Sequence, residues 1–121
     1  MSTDDKASKL IIQILRATYS GSVSWRLSSP PASLTRATES FIPLFLEAEY
    51  KGKEIVIYEE RYKHWTDEDS FNWGVSIRFG FNVGGTVITD IVKWSPLLRK
   101  LFEAARDNAA DVDSLIDDML D

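Results

Sequence analysis

The chain has 121 residues, no cysteine, 44% hydrophobic and 27% charged residues, and a net charge of −5. That length suits a single domain, residues 1–121, with one core. Its make-up is that of an ordinary globular protein, without the run of 18 apolar residues a membrane-spanning helix needs. The missing cysteines exclude disulfides, thiolate zinc sites and cysteine nucleophiles, and the acidic balance argues against binding nucleic acid by neutralising phosphates.

The first residues, MSTDDKASK, begin acidic and lack a long apolar stretch before a cleavage site. No signal peptide is expected, and the expected compartment is the cytoplasm. Thr3, Asp4 and Asp5 read as a helix start, a hydroxyl cap followed by acids that suit the positive end of the helix dipole. Leu10, Ile11, Ile14, Leu15 and Thr18 then recur at helical spacing until Gly21 stops the stripe. Val23, Trp25 and Leu27 alternate with Ser24, Arg26 and Ser28, which predicts a half-buried strand. The Ser/Thr/Pro-rich segment 28–40 predicts a loop that crosses the sheet or lacks order.

A run of strands follows. Ile42, Leu44, Leu46, Ala48 and Tyr50 alternate with Pro43, Phe45, Glu47 and Glu49. Lys51-Gly52 is a two-residue hairpin turn, and residues 55–62 form the return strand. Thr66 to Ser70 is an acidic loop. Trp73, Val75, Ile77, Phe79 and Phe81 are expected to fill the buried face of the next strand. Asn82 to Gly85 turns the chain into a last strand over 86–93. Short connections between consecutive strands favour an antiparallel meander.

Ser95-Pro96 opens the closing helix, the serine as cap and the proline at the first helical position. Leu98, Leu101, Phe102, Ala105, Ala109, Val112, Ile116 and Met119 carry one apolar stripe along it. Unbroken over 96–120, this helix would be about 37 Å long. The alternative is a break near Asp107-Asn108, with Asp111 capping a second short helix. The last fifteen residues hold six aspartates and no Lys or Arg, so the net charge sits here and the rest of the chain is nearly balanced. Such an acidic amphipathic segment suits water or a basic partner.

Two groups of residues resemble a loosely defined set of short bacterial and phage-encoded proteins of unassigned function. They are Leu15, Thr18, Gly21, Val23 and Trp25 near the start, and Leu98, Leu101, Phe102, Ala105, Arg106, Val112, Asp113 and Leu120 near the end. The resemblance spans about a third of the chain and rests on core and turn positions. It implies a small cytosolic α+β domain of prokaryotic type and brings no catalytic residue, cofactor or metal.

Several residues carry chemistry worth weighing. His64, the sole histidine, is a general base only if Glu59 or Glu60 orients it. With Asp67 and Asp69 it sketches a metal site. However, the loop lacks the glycine and distal glutamate of a calcium loop, and zinc wants more His or Cys ligands. Arg61 to Trp65 mixes cations with aromatics, as nucleic-acid stacking surfaces do, though a charge-guarded edge strand gives the same pattern. Gly80 to Gly85 lacks the lysine and hydroxyl of a phosphate loop and is turn chemistry. Of the four tryptophans, Trp25 and Trp73 are expected in the core, and Trp65 and Trp94 at strand ends as interface anchors.

The expected fold is therefore α+β: an N-terminal helix, a meander of about five strands, and a long C-terminal helix packed on the sheet. The expected function is a small acidic non-catalytic protein-binding or adaptor domain, alone or as a homodimer, with no cofactor. Its expected partner-binding residues are Tyr62, His64, Trp65, Trp94, Val112, Leu115, Ile116 and Met119. Alternatives are an immunity-type protein neutralising a basic toxin, a small enzyme built on His64, and a nucleic-acid binder using residues 61–65.

Overall fold

The computed structural model describes residues 3–35 and 40–120. Helix α1 runs from Thr3 to Tyr19 and turns its stripe of Ile11, Ile14 and Leu15 inward. The capping expected of the Thr3 hydroxyl lies outside the described side chains. Gly21, at φ +80°, lets the chain leave the helix in the left-handed region.

The next segment is not the alternating strand its sequence suggests. Only Arg26–Leu27 (β1) pairs with the sheet, while Val23 and Trp25 are buried in the preceding loop and Leu27 is exposed. Side-chain chemistry explains the difference. The Trp25 indole N–H donates to the Thr18 hydroxyl at 3.0 Å, and that hydroxyl donates to the Ile14 carbonyl at 2.8 Å. The Trp25 backbone N–H donates to Asn108 Oδ1 at 2.7 Å instead of to a neighbouring strand. Trp25 is thus a rivet between both helices, and its backbone is not free to join a ladder.

The sheet is an antiparallel meander in the order β1-β2-β3-β4-β5, with β2 at Phe41–Tyr50, β3 at Lys53–Trp65, β4 at Phe71–Val83 and β5 at Thr86–Ile88. Lys51 and Gly52 both take positive φ, the geometry a two-residue hairpin needs to match strand twist. The return strand extends three residues beyond Tyr62, to Trp65. The last strand is shorter than its pattern suggests. It ends at Ile88 rather than Lys93, where Asp90 at φ +70° takes the chain out of strand geometry.

One face of the sheet carries the main core. Leu46, Ala48, Ile55, Ile57, Ile77 and Phe79 pack beneath α1 and α3 (Pro96–Ala110), whose Leu98, Leu101, Phe102 and Ala105 point down. Ser95 caps α3, its hydroxyl accepting from the Leu98 N–H at 3.2 Å. The reverse face has a small core of its own, Phe45, Val56 and Tyr58, covered by Leu34, Ile42 and Val87. Leu34 belongs to α2 (Ala32–Thr35), so the described part of the 28–40 segment does cross the sheet.

The closing helix is broken. Asp111 adopts φ 50°, ψ 57°, ending α3 and starting α4 (Val112–Met119). The break falls at Asp111 itself rather than at Asp107-Asn108, and the Asp111 side chain makes no capping hydrogen bond to α4. Asn108 stays in α3, held by Trp25. No side chain of α4 is buried.

Candidate functional site

Strands β3 and β4 pair along their whole length, from Glu54 opposite Asn82 to Trp65 opposite Phe71. Thirteen residues of strand span about 43 Å, whereas the seventeen residues of α1 span about 26 Å. The helices therefore leave the far end of the hairpin bare. Alternation continues regardless, so residues on the core face keep facing the same way after the cover stops.

Ile57, Glu59, Arg61, Lys63 and Trp65 share that face with their partners Phe79, Ile77, Val75, Trp73 and Phe71. Phe41 joins them, because a register shift between Phe41 and Leu44 sets it opposite Arg61. Trp73 and Val75 are therefore not core residues. They are 51% and 50% exposed, unlike buried Ile77 and Phe79 on the same strand.

These residues assemble into a platform. Trp73 meets Phe41 and Phe71 edge-on at 5.5 and 5.6 Å, and Phe71 meets Trp65 at 5.1 Å. Lys63 lies among them, its ammonium 4.7 Å from the Phe71 ring centre, 5.7 Å from Trp65 and 6.0 Å from Trp73. Arg61 sits 5.9 Å from the Phe41 ring. Edge-on and tilted rings with cations near their faces favour one another, so the platform gains contacts of its own where helical cover is missing.

The expected site residues do not all gather here. Trp65 belongs to the platform, but Tyr62 and His64 face the other way, opposite Gly74 and Asn72. The Tyr62 ring lies flat on Gly74, where an added Cβ would come within 2.4 Å of it. His64 is exposed, and the carboxylates that might orient it are engaged by arginines. Glu59 pairs with Arg61 at 3.7 Å, and Glu60 with Arg78 at 3.2 Å. His64, Asp67 and Asp69 do not converge, and among the described residues no three His, Asp or Glu come together to hold a metal ion. Asp67 instead shapes its own turn, accepting from the Asp69 N–H at 2.8 Å.

Trp94 is exposed but apart from the hairpin end, in a shallow pocket with Ile77, Arg78, Asp90 and Val92. Arg78 bridges Glu60 and Asp90, the latter at 2.6 Å. Burial pulls its pKa down, but the charge and hydrogen bond of Glu60, with Asp90 behind them, outweigh this and raise it. Tyr58 next to it is pushed up, chiefly by burial and then by the Glu60 charge. This cluster locks the reverse face of the sheet.

The remaining expected residues form a second open surface. Val112 is half-buried, while Leu115, Ile116 and Met119 are 52%, 50% and 83% exposed on α4. No helix among the described residues is long and apolar enough to cross a membrane. Comparison with known proteins returns nothing: no family model matches the chain, and no curated protein or solved structure is significantly similar to it.

Proposed function

We propose that this chain is a small acidic, non-catalytic binding domain that recognises protein through the bare end of its sheet. One observation carries the reading. Phe41, Phe71, Trp73 and Val75 continue the core face of the sheet, yet each keeps more than a third of its surface in water. Contiguous exposed apolar surface on a monomer marks an interaction site, and fixed aromatics with a rim of cations are the residues that anchor one. Among the described residues Glu59 and Glu60 are engaged by arginines rather than by His64, which favours binding over acid–base catalysis.

The test is capture from the native lysate by the wild-type chain and by Trp73→Ser. Trp73 is half-exposed, so the variant should keep its fold. A protein held by the wild type and released by the variant supports the reading. A protein held equally by both places the working surface elsewhere.

A second reading has one observation behind it. Lys63 and Arg61 among stacked rings on a sheet face also suit single-stranded nucleic acid. Against it stand the net charge of −5 and the acidic turn at 67–69 beside the platform. Binding of an oligonucleotide that weakens steeply with salt would favour it.

A further inference from the structure

Resting on the reading of the platform as a protein-binding surface, we infer that its occupant is α4 of a second copy of this chain, each copy seating its helix on the platform of the other. Most of the cover on this sheet face comes from helices presenting apolar stripes, α1 and α3, with Val23, Trp25 and Val92 of the connecting segments beside them. The bare end continues the same face. Among the described residues α4 is a helix whose stripe is left largely uncovered: Val112 is half-buried, and Leu115, Ile116 and Met119 are exposed. Val112, Leu115, Ile116 and Met119 fall at the i, i+3, i+4, i+7 spacing with which an amphipathic helix enters an apolar groove.

Charge selects the pairing. Helix α4 bears Asp113, Asp117 and Asp118 and no cation. On a helical wheel Asp113 and Asp118 flank the apolar stripe by about 110° on either side. The platform bears Arg61, already engaged by Glu59 of the same face at 3.7 Å, and Lys63, which forms no salt bridge among the described residues. Asp67 and Glu68 lie at its rim beside Trp65, so among the described residues the one platform cation left to pair is Lys63 among the rings. Covering the rings would strip water from that ammonium, a costly step unless the arriving surface brings an anion. The aspartates of α4 supply it. Pairing α4 with α4 would instead press like charges together, which is unfavourable.

The contact is one between copies. Val112 and Asp113 lie beside Gly21 and Asp107, at the α1–α3 end of the molecule, and α4 makes no substantial contact with β3 or β4. Each copy thus offers one helix and one platform, and reciprocal exchange about a two-fold axis closes the assembly at two chains.

The experiment is sedimentation equilibrium on the wild type, on Trp73→Ser, on Ile116→Asp, and on an equal mixture of the two variants. Neither residue is buried within the chain, and matching thermal midpoints confirm that each variant is folded. The wild type should be a dimer. Each variant should weaken self-association by about tenfold or more. The mixture should partly recover it, because an intact helix from one variant meets an intact platform on the other. A wild type that stays monomeric at about millimolar concentration overturns the inference while leaving the binding-domain reading standing, with a different protein as occupant. A dimer that survives Trp73→Ser, or a mixture that recovers nothing, also overturns it.

Discussion

Trp25 and Thr18 show how much of this fold rests on single polar contacts. The Thr18 hydroxyl both receives the Trp25 indole N–H and donates to the Ile14 carbonyl, in a region where Trp25 is only 4% exposed. Thr18→Val keeps the shape but strands a buried donor, so it should cost about 1–3 kcal/mol in urea unfolding. Thr18→Ser, which keeps the oxygen, should cost clearly less. Tyr58 gives a second test, through pH. Burial raises its pKa above the ordinary tyrosine value of 10.0, so between that value and the folded one the native state holds a proton the unfolded chain has lost. Stability should therefore fall as pH rises above about 10, and Tyr58→Phe should flatten that fall relative to wild type. Equal alkaline slopes for the two proteins would contradict this. The Trp25 contacts also show where sequence pattern ran out. The alternation of residues 23–27 is genuine, but the acceptor that withdraws the Trp25 N–H from a ladder is Asn108, 83 residues away, and no local pattern reports it.

Among the elements, those whose geometry is set by neighbours in sequence were legible and those ended by distant contacts were not. The Ser95-Pro96 start of α3, the Lys51-Gly52 hairpin and the stripe of α1 follow from local chemistry and appear as expected. The end of β5 and the true location of the helix break depend on single residues, Asp90 and Asp111, adopting positive φ. Asp tolerates that region but is not at ease there. Asp111→Gly should therefore raise stability by about 0.5–1 kcal/mol. Were residues 96–119 one continuous helix in solution, the same change would lower it by about 0.3 kcal/mol, the difference in helix propensity between Asp and Gly. The sign of the shift in the urea midpoint decides between the two. Neither sign depends on α4 touching the rest of the molecule.

At the scale of the whole molecule, strand length and helix length do not match, and the candidate surface is the remainder. Alternation correctly set Trp73 and Val75 on the same face as Ile77 and Phe79, but face is not burial. Pattern alone read the return strand as ending at residue 62 and the closing helix as up to about 37 Å, so the shortfall of helices of about 26 Å or less over a strand of about 43 Å emerges only from the folded lengths. Phe41 was harder to foresee, since its place in the platform depends on an irregularity in the β2–β3 register. The grouping of Tyr62 and His64 with Trp65 failed for the opposite reason: neighbours in a strand point to opposite faces. The exposed stripe of α4 was legible as surplus apolar surface, although the turn at Asp111 that carries it off the sheet was not.

These scales meet in a single spectrum. A dilution series of the amide and indole N–H resonances follows both open surfaces at once, with the Trp25 indole as an internal reference because it is buried and bonded to Thr18. The Trp73 indole and the amides of Leu115, Ile116 and Met119 should move together along one binding curve as concentration rises, while Trp25 stays still. Signals from Trp73 and α4 that hold constant up to about millimolar concentration, or that move along unrelated curves, would contradict the pairing of helix and platform.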